Sequence, residues 1–330
     1  MSAKRSGESL DRKSFLRFLI GLTGSMVGGA KIFADPADAA TSGSTNALPR
    51  RKLGDMGIEL PVLGVGGYHM GMPTAEQKSR TLMETAIDEG IRFFDNAESY
   101  HAGKSERWMG AALLGARKDV FLMTKTHAFP ERTAESAKRH LGESLERLQT
   151  NYLDLWQLHA VKTPEDVDAS FRAGGAMEYI LEAKEQGMVR YVGVTGHTSA
   201  EANLRALKHF DEGWRFDAFQ FPCNPIDVHQ RSFVRELLPE VVKRGIAVLA
   251  MKTAAAGALV DQNVCSIDEC LRFVLSLPVS MVISGMASAE HVRRNASIVR
   301  EAQPFTPAEA DALLARIKPR ATLDLESYKS

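Results

Sequence analysis

Cysteine is scarce in this chain: three residues in 330, Cys223, Cys265 and Cys270, with no C-x-x-C pair among them. That excludes a disulfide framework and an iron–sulfur cluster and leaves the thiols to packing. Net charge is absent as well, with 41 basic against 41 acidic side chains, so nothing recommends a nucleic-acid partner. No heptad run or long apolar stripe argues for a particular oligomeric state. No His/Cys spacing of a metal site is evident. The one sustained apolar stretch, Phe15 to Ile32, is short and interrupted by glycines, which makes it a poor membrane-spanning helix.

What is present fits a globular protein, with 44% hydrophobic and 25% charged residues. The N-terminus stands apart: a basic polar start, the apolar stretch, then alanine-rich polar sequence, the pattern of an export leader over residues 1–40. The run Asp11-Arg12-Lys13-Ser14-Phe15-Leu16-Arg17 is similar to a twin-arginine signal, with Lys13 in place of the second arginine. Ala37 and Ala39 offer a cleavage site before Ala40. These features imply a folded protein exported to the periplasm by that machinery. An uncleaved membrane tether and a cytoplasmic protein with a basic tail are the alternatives. Without residues 1–40 the chain keeps 35 basic and 37 acidic side chains, a net −2.

After a linker over 41–49, apolar runs alternate with amphipathic stretches, and eight such units are found over about 250 residues. The strand candidates are 61–67, 91–97, 120–125, 153–159, 189–196, 216–224, 246–252 and 279–285. The stretches between them carry apolar positions three and four apart, and several end at glycine (Gly90, Gly187, Gly245). Runs apolar throughout belong to parallel strands covered on both faces. A doubly wound sheet that binds a dinucleotide should place G-x-G-x-x-G after an early strand, whereas here Gly64-Val65-Gly66-Gly67-Tyr68-His69 has histidine at the third position. The expected fold is therefore α/β, a single-domain (β/α)8 TIM barrel over 50–317. A hairpin around Asp55-Met56-Gly57 precedes it, and a helix capped by Thr306 and begun by Pro307 follows it. Residues 318–330 form a short tail that leaves little chain to close over the site.

Chemistry in such barrels collects at the C-terminal ends of the strands. Strands two, three and four end in Asp95 with Tyr100, in Lys125 and in His159. A cation beside a phenol lowers its pKa from about 10 toward the working range, so Lys125 would make Tyr100 a proton donor, and Asp95 would hold Lys125. His159 would share the hydrogen bond to a carbonyl oxygen.

With Asp95-Asn96-Ala97-Glu98-Ser99-Tyr100, Ser105-Glu106, Thr124-Lys125, Ser144-Leu145-Glu146-Arg147-Leu148, Tyr152-Leu153-Asp154-Leu155 and Leu158-His159 in hand, the chain resembles the aldo-keto reductase superfamily from about Arg50 to Ile317. The resemblance implies hydride transfer between a nicotinamide cofactor and a small-molecule carbonyl, in either direction. It gives Tyr100 the proton, Lys125 and Asp95 the tuning, and His159 the positioning. It also implies cofactor contacts at Gln220, Asn224 and Thr195. Gly196 stands where the family commonly has an asparagine. Lys252 and the small-residue loop through Gly257 would meet the pyrophosphate, unless Lys252 merely ends its strand. In the eighth unit Asn295 matches the family asparagine near the adenine. Gly285 and His291 occupy the positions where a basic pair would hold a 2′-phosphate, and Arg294 or His291 would substitute. NADP(H) is expected first and NAD(H) second.

Tyr68, His69, His101, His127 and His197, with Phe129 and Phe221 nearby, are candidates for the substrate mouth, and so many histidines point to polar substrates such as sugars or hydroxy-carbonyls. The rival reading is a cofactor-responsive binding or regulatory subunit that keeps barrel and tetrad.

Overall fold

The computed structural model describes residues 47–72, 75–128 and 131–330. The leader 1–40, most of the linker and Phe129 lie outside the described residues. Eight parallel strands close into a barrel: β3 (Leu63–Gly66), β4 (Phe93–Asp95), β5 (Phe121–Thr126), β6 (Leu153–Leu158), β7 (Val189–Thr195), β8 (Ala218–Pro222), β9 (Ala247–Met251) and β10 (Met281–Gly285). Closure is made by β10, which pairs with β9 through Met281 and Leu249 and with β3 through Val282 and Leu63. Each strand falls within, or one residue beyond, an apolar run identified in the sequence. Strands covered on both faces favour apolar side chains along their length.

The hairpin consists of β1 (Arg50–Lys52) and β2 (Glu59–Pro61), paired antiparallel. It closes the N-terminal end of the barrel with Leu53, fully buried among Phe93, Phe121, Leu155, Leu249 and Met281. Gly54 sits at φ 48°, and a Cβ there would lie 2.4 Å from the Gly245 carbonyl oxygen, so the close approach of this turn to the barrel floor requires glycine. With that end plugged, the opposite rim is the open one.

The helices follow the sequence pattern with one break. The stretch 233–245 forms two short helices, Phe233–Glu236 and Leu238–Lys243, because Pro239 lacks an N–H and its ring clashes with the preceding turn. Pro307–Ile317 is a helix whose Thr306 cap and Glu309 complete a reciprocal capping box. The chain beyond it is not a loose end. A 3-10 segment, Leu323–Lys329, packs against Ala255–Gly257 and Ala258–Asp261, on the open rim beyond β9. All three cysteines are buried. No described helix is long and apolar enough to cross a membrane.

Candidate active site

Four strand ends build the centre of the open rim. Asp95 is the last residue of β4, Lys125 the fifth of β5, and His159 follows β6, all three buried. Tyr100 returns over them on the turn after β4. The Lys125 ammonium donates to the Asp95 carboxylate, to the Asn96 carbonyl oxygen at 2.6 Å and to the Tyr100 hydroxyl at 3.5 Å. All three of its donors are aimed, so the side chain has one position. The His159 ring stands edge-on to Tyr100, centroids 5.8 Å apart. Gln220 reaches Asp95 Oδ2 at 3.5 Å from β8.

Electrostatics refine the expected roles. Burial pulls the Lys125 ammonium down, but Asp95 and Tyr100 outweigh it and its pKa lies above the ordinary value. Burial pushes Asp95 up, with Lys125 opposing. Tyr100 departs from expectation: its pKa is raised, because burial exceeds the lowering by Lys125. Lys125 acts in the anticipated direction on a phenol that desolvation holds protonated. Burial, then His127 and Lys125, keep His159 well below its usual value and therefore neutral. Among the described residues its Nδ1 makes no hydrogen bond.

The mouth residues divide into groups. His127 stacks on His159 at 4.3 Å, and Tyr68 stands edge-on to Tyr100 at 5.5 Å and tilted over His101 at 4.8 Å. Burial and neighbouring cations take His127 and His197 down to about 4. Tyr68 is 52% exposed and forms the outer lip. His69 stands edge-on to Tyr68 at 5.8 Å and packs on Gly285, where a Cβ would lie 2.5 Å from its Cε1. The place of a side chain on Gly285 is thus filled by an imidazole, with its pKa lowered by burial and then by His291. Phe221 is a core residue, stacked on Phe233.

The residues assigned to the cofactor are less uniform. Thr195 is buried and its hydroxyl accepts from the Ala160 N–H at 2.9 Å, which ties β7 to the turn after His159. Asn224 is fully buried: its Oδ1 accepts from Ile226 and Asp227, and its Nδ2 donates to the Lys252 carbonyl oxygen at 3.2 Å and to Tyr328 Oη at 2.9 Å. Lys252 itself is strained, with φ 51°, followed by Ala255 at 49°, Ala256 at 58° and Gly257 at 102°. Left-handed backbone at non-glycine residues costs about 1–3 kcal/mol each and persists only where its surroundings enforce it. Asn295 donates to Ser284 Oγ at 3.0 Å, His291 Nδ1 faces the Ala287 N–H at 3.4 Å, and Arg294 is exposed on the same helix.

Several residues escaped the sequence reading. Asn203, on the helix Ala200–Asp211, donates to the Gly196 carbonyl oxygen at 3.1 Å, and a Cβ on Gly196 would come within 1.9 Å of Asn203 Oδ1. The missing side chain at Gly196 is the space that Asn203 fills. Glu98 accepts from the His127 N–H at 2.8 Å, from Thr126 Oγ1 at 3.1 Å and shares a contact with His140 at 3.1 Å, fixing the end of β5. Arg132 donates to the His159 carbonyl oxygen at 2.9 Å and pairs with Asp166. Partners seven or more positions apart gave no local signal for any of these.

Two buried amide oxygens at the expected cofactor positions have no hydrogen-bond partner among the described residues, Gln220 Oε1 beside Asp95 and Asn295 Oδ1 beside Ser284, and both fit a dinucleotide's donors. An amide oxygen buried without a donor is costly, and a carboxamide or adenine amine would supply the missing N–H. Among the described residues no cluster of His, Cys, Asp or Glu is placed to hold a metal.

Residues 62–270 match the model of the aldo/keto reductase family. The chain belongs to that family and is an oxidoreductase of it. It is 25% identical to an L-galactose dehydrogenase of Arabidopsis thaliana over 309 residues, covering 81% of this chain and 95% of that protein. It is 28% identical to a methylglyoxal reductase of Escherichia coli over 265 residues, covering 73% and 86%. Among solved structures it is similar to the holo form of an aldo-keto reductase from Bacillus halodurans, with TM-score 0.68, 23% identity and coverage of 86% and 100%. A Klebsiella pneumoniae aldo/keto reductase in complex with NADP and acetate gives TM-score 0.63, 23% identity and coverage of 81% and 95%.

Proposed function

We propose that this protein reduces the carbonyl group of a small polar hydroxy-aldehyde or hydroxy-ketone, or oxidises the corresponding alcohol, with Tyr100 as the proton donor and acceptor. The observation that carries this reading is the single arrangement of Lys125 on Asp95, Asn96 and Tyr100, with neutral His159 beside the phenol. NADP(H) supplies or takes the hydride when bound. Support for NADP(H) over NAD(H) comes from the Klebsiella enzyme's NADP complex and from His291 and Arg294 on the eighth unit.

Each residue has a separate task. Tyr100, held protonated by burial, donates to the substrate oxygen as negative charge develops there. Lys125 stabilises the phenolate left behind, and Asp95 and Asn96 hold the ammonium in place. His159, neutral, offers one N–H to the same oxygen. Gln220 orients the nicotinamide end through its unpaired amide oxygen. His127 and His197, also neutral, each present a donor and an acceptor, which suits hydroxyl groups better than a purely apolar wall would. The relatives that act on L-galactose and methylglyoxal, by their names, support substrates of that polar kind.

The test is fluorescence titration with NADPH and NADH, then turnover at the nicotinamide absorbance band against aldehydes, ketones, sugars and hydroxy-carbonyls. Loss of turnover in Tyr100→Phe with binding intact is expected. A fully active Tyr100→Phe would sink the mechanism. Tight dinucleotide binding without turnover of any carbonyl would mark a binding or regulatory subunit instead. We also propose that residues 1–40 direct export of the folded protein to the periplasm, with its dinucleotide bound before transit.

A further inference from the structure

The segment Leu323–Lys329 is firmly anchored to the loop that leaves β8. Lys329 is 1% exposed, and its ammonium donates to Asp227 Oδ1 at 2.7 Å, Glu326 Oε2 at 2.9 Å and the Gln230 carbonyl oxygen at 2.9 Å. Asp227, fully buried, also accepts from Ser232 Oγ and the Val234 N–H, both at 2.9 Å, so it organises the loop that leaves β8. Arg231 donates to the Lys329 carbonyl oxygen at 3.1 Å, and Gln230 to that of Ala321. A buried cation between two carboxylates is a poor source of net stability, because desolvating three charges offsets most of their attraction. What such a cluster does secure is position.

The position secured is that of Tyr328. Its hydroxyl donates to Glu326 at 2.6 Å and accepts from Asn224 Nδ2 at 2.9 Å, while the Lys252 ammonium lies 5.2 Å from its ring centroid. The same segment packs on Ala255–Gly257, where the left-handed residues follow Lys252. Those backbone angles need an external brace, and Leu323–Lys329 is an element that covers them.

We propose that Leu323–Lys329 is a positioning element of the dinucleotide site, in which Tyr328 holds Asn224, Lys252 and the loop through Gly257 in the form that receives a pyrophosphate. This rests on the reading that the protein binds NADP(H). Lys329, Glu326 and Asp227 act at one remove, as the anchor of Tyr328. Dinucleotide affinity therefore depends on residues at the opposite end of the chain from the family's motif residues, while proton transfer at Tyr100 does not.

Three full-length variants test it: Tyr328→Ala, Tyr328→Phe and Lys329→Met. NADPH dissociation constants come from nucleotide fluorescence, folding from circular dichroism, and steady-state kinetics separate kcat from the two KM values. Loss of the ring and the anchor in Tyr328→Ala and Lys329→Met is expected to raise the NADPH Kd roughly tenfold or more, with kcat at saturating NADPH and the carbonyl KM unchanged. Tyr328→Phe, which keeps the ring over Lys252 but loses the hydroxyl that holds Asn224, is expected to recover only part of the affinity. Where Lys329→Met does not fold, the Tyr328 pair decides alone. A folded Tyr328→Ala that binds NADPH within twofold of wild type overturns the inference, as does a kcat loss with unchanged Kd. A wild-type chain that binds neither NADPH nor NADH overturns the functional reading, and this inference with it.

Discussion

Lys125 Nζ lies 3.5 Å from the Tyr100 hydroxyl, and even so the phenol stays above its ordinary pKa. A cation at that distance lowers a phenol in water, but here Lys125 is buried and Tyr100 half-buried, and desolvation of the phenolate wins. The consequence is directional. Under the proposed mechanism a protonated phenol serves carbonyl reduction across the neutral range, whereas alcohol oxidation waits for the phenolate.

Reduction is accordingly expected to stay level from pH 6 to pH 9 and to decline only as the pH rises through the phenol's pKa, above about 10. Tyr100→Phe should lower kcat/KM for reduction by about 10²- to 10⁴-fold with NADPH affinity unchanged. A pH–rate profile of both directions, with wild type and variant, checks it.

Removing the cation should act in one direction on both reactions. Lys125→Met takes away the cation that lowers the Tyr100 pKa and leaves Asp95 buried without its partner. The onset of alcohol oxidation should move to higher pH than in wild type. An onset that moves to lower pH would contradict the role given to Lys125.

The imidazoles around the phenol predict acid sensitivity. His127 and His197 sit at about 4 and His159 is also well below its usual value, while in the unfolded chain all three return to about 6.5. Between those values the unfolded state binds more protons, so their contribution is whole above pH 6.5 and is lost as the pH falls toward 4. Thermal melts should fall over that window, and His127→Asn, which cannot take up a proton, should flatten the fall. An unchanged slope in the variant would remove His127 from the account.

Gly196 and Asn203 form a packing pair that a double-mutant cycle resolves. Gly196→Ala drives a methyl toward Asn203 Oδ1 and should cost about 1–3 kcal/mol in urea denaturation, the usual range for overpacking. Asn203→Ala opens that space, so the double variant should recover part of the loss and show a coupling energy. Simple additivity would mean that the backbone, not Asn203, absorbs the methyl.

For residues 1–40, the expected outcome is a periplasmic protein whose first residue is Ala40. N-terminal sequencing of the fractionated protein decides it. Recovery from the cytoplasm alone with residue 1–40 sequence intact would overturn the export reading.

The barrel was legible because parallel strands covered on both faces leave unbroken apolar runs, and the site was legible because its charged and aromatic residues end those runs. Asp95, Lys125 and His159 are read by that rule. Pro239 broke a stretch that periodicity alone joins, since apolar spacing says nothing about a missing N–H.

What the sequence by itself determined is the order of strands and the identity of the four groups at neighbouring rims, because both follow from local pattern. Tertiary structure alone decided three things. Desolvation set the sign of the Tyr100 shift, which depends on how much protein surrounds the phenol. Packing put Asn203 into the space above Gly196 and His69 into that above Gly285. Long-range ion pairing brought Lys329 to Asp227, 102 positions away, and so set Tyr328 against Asn224 and Lys252. No local pattern encodes such contacts, since their energy exists only once distant segments share a dry interior.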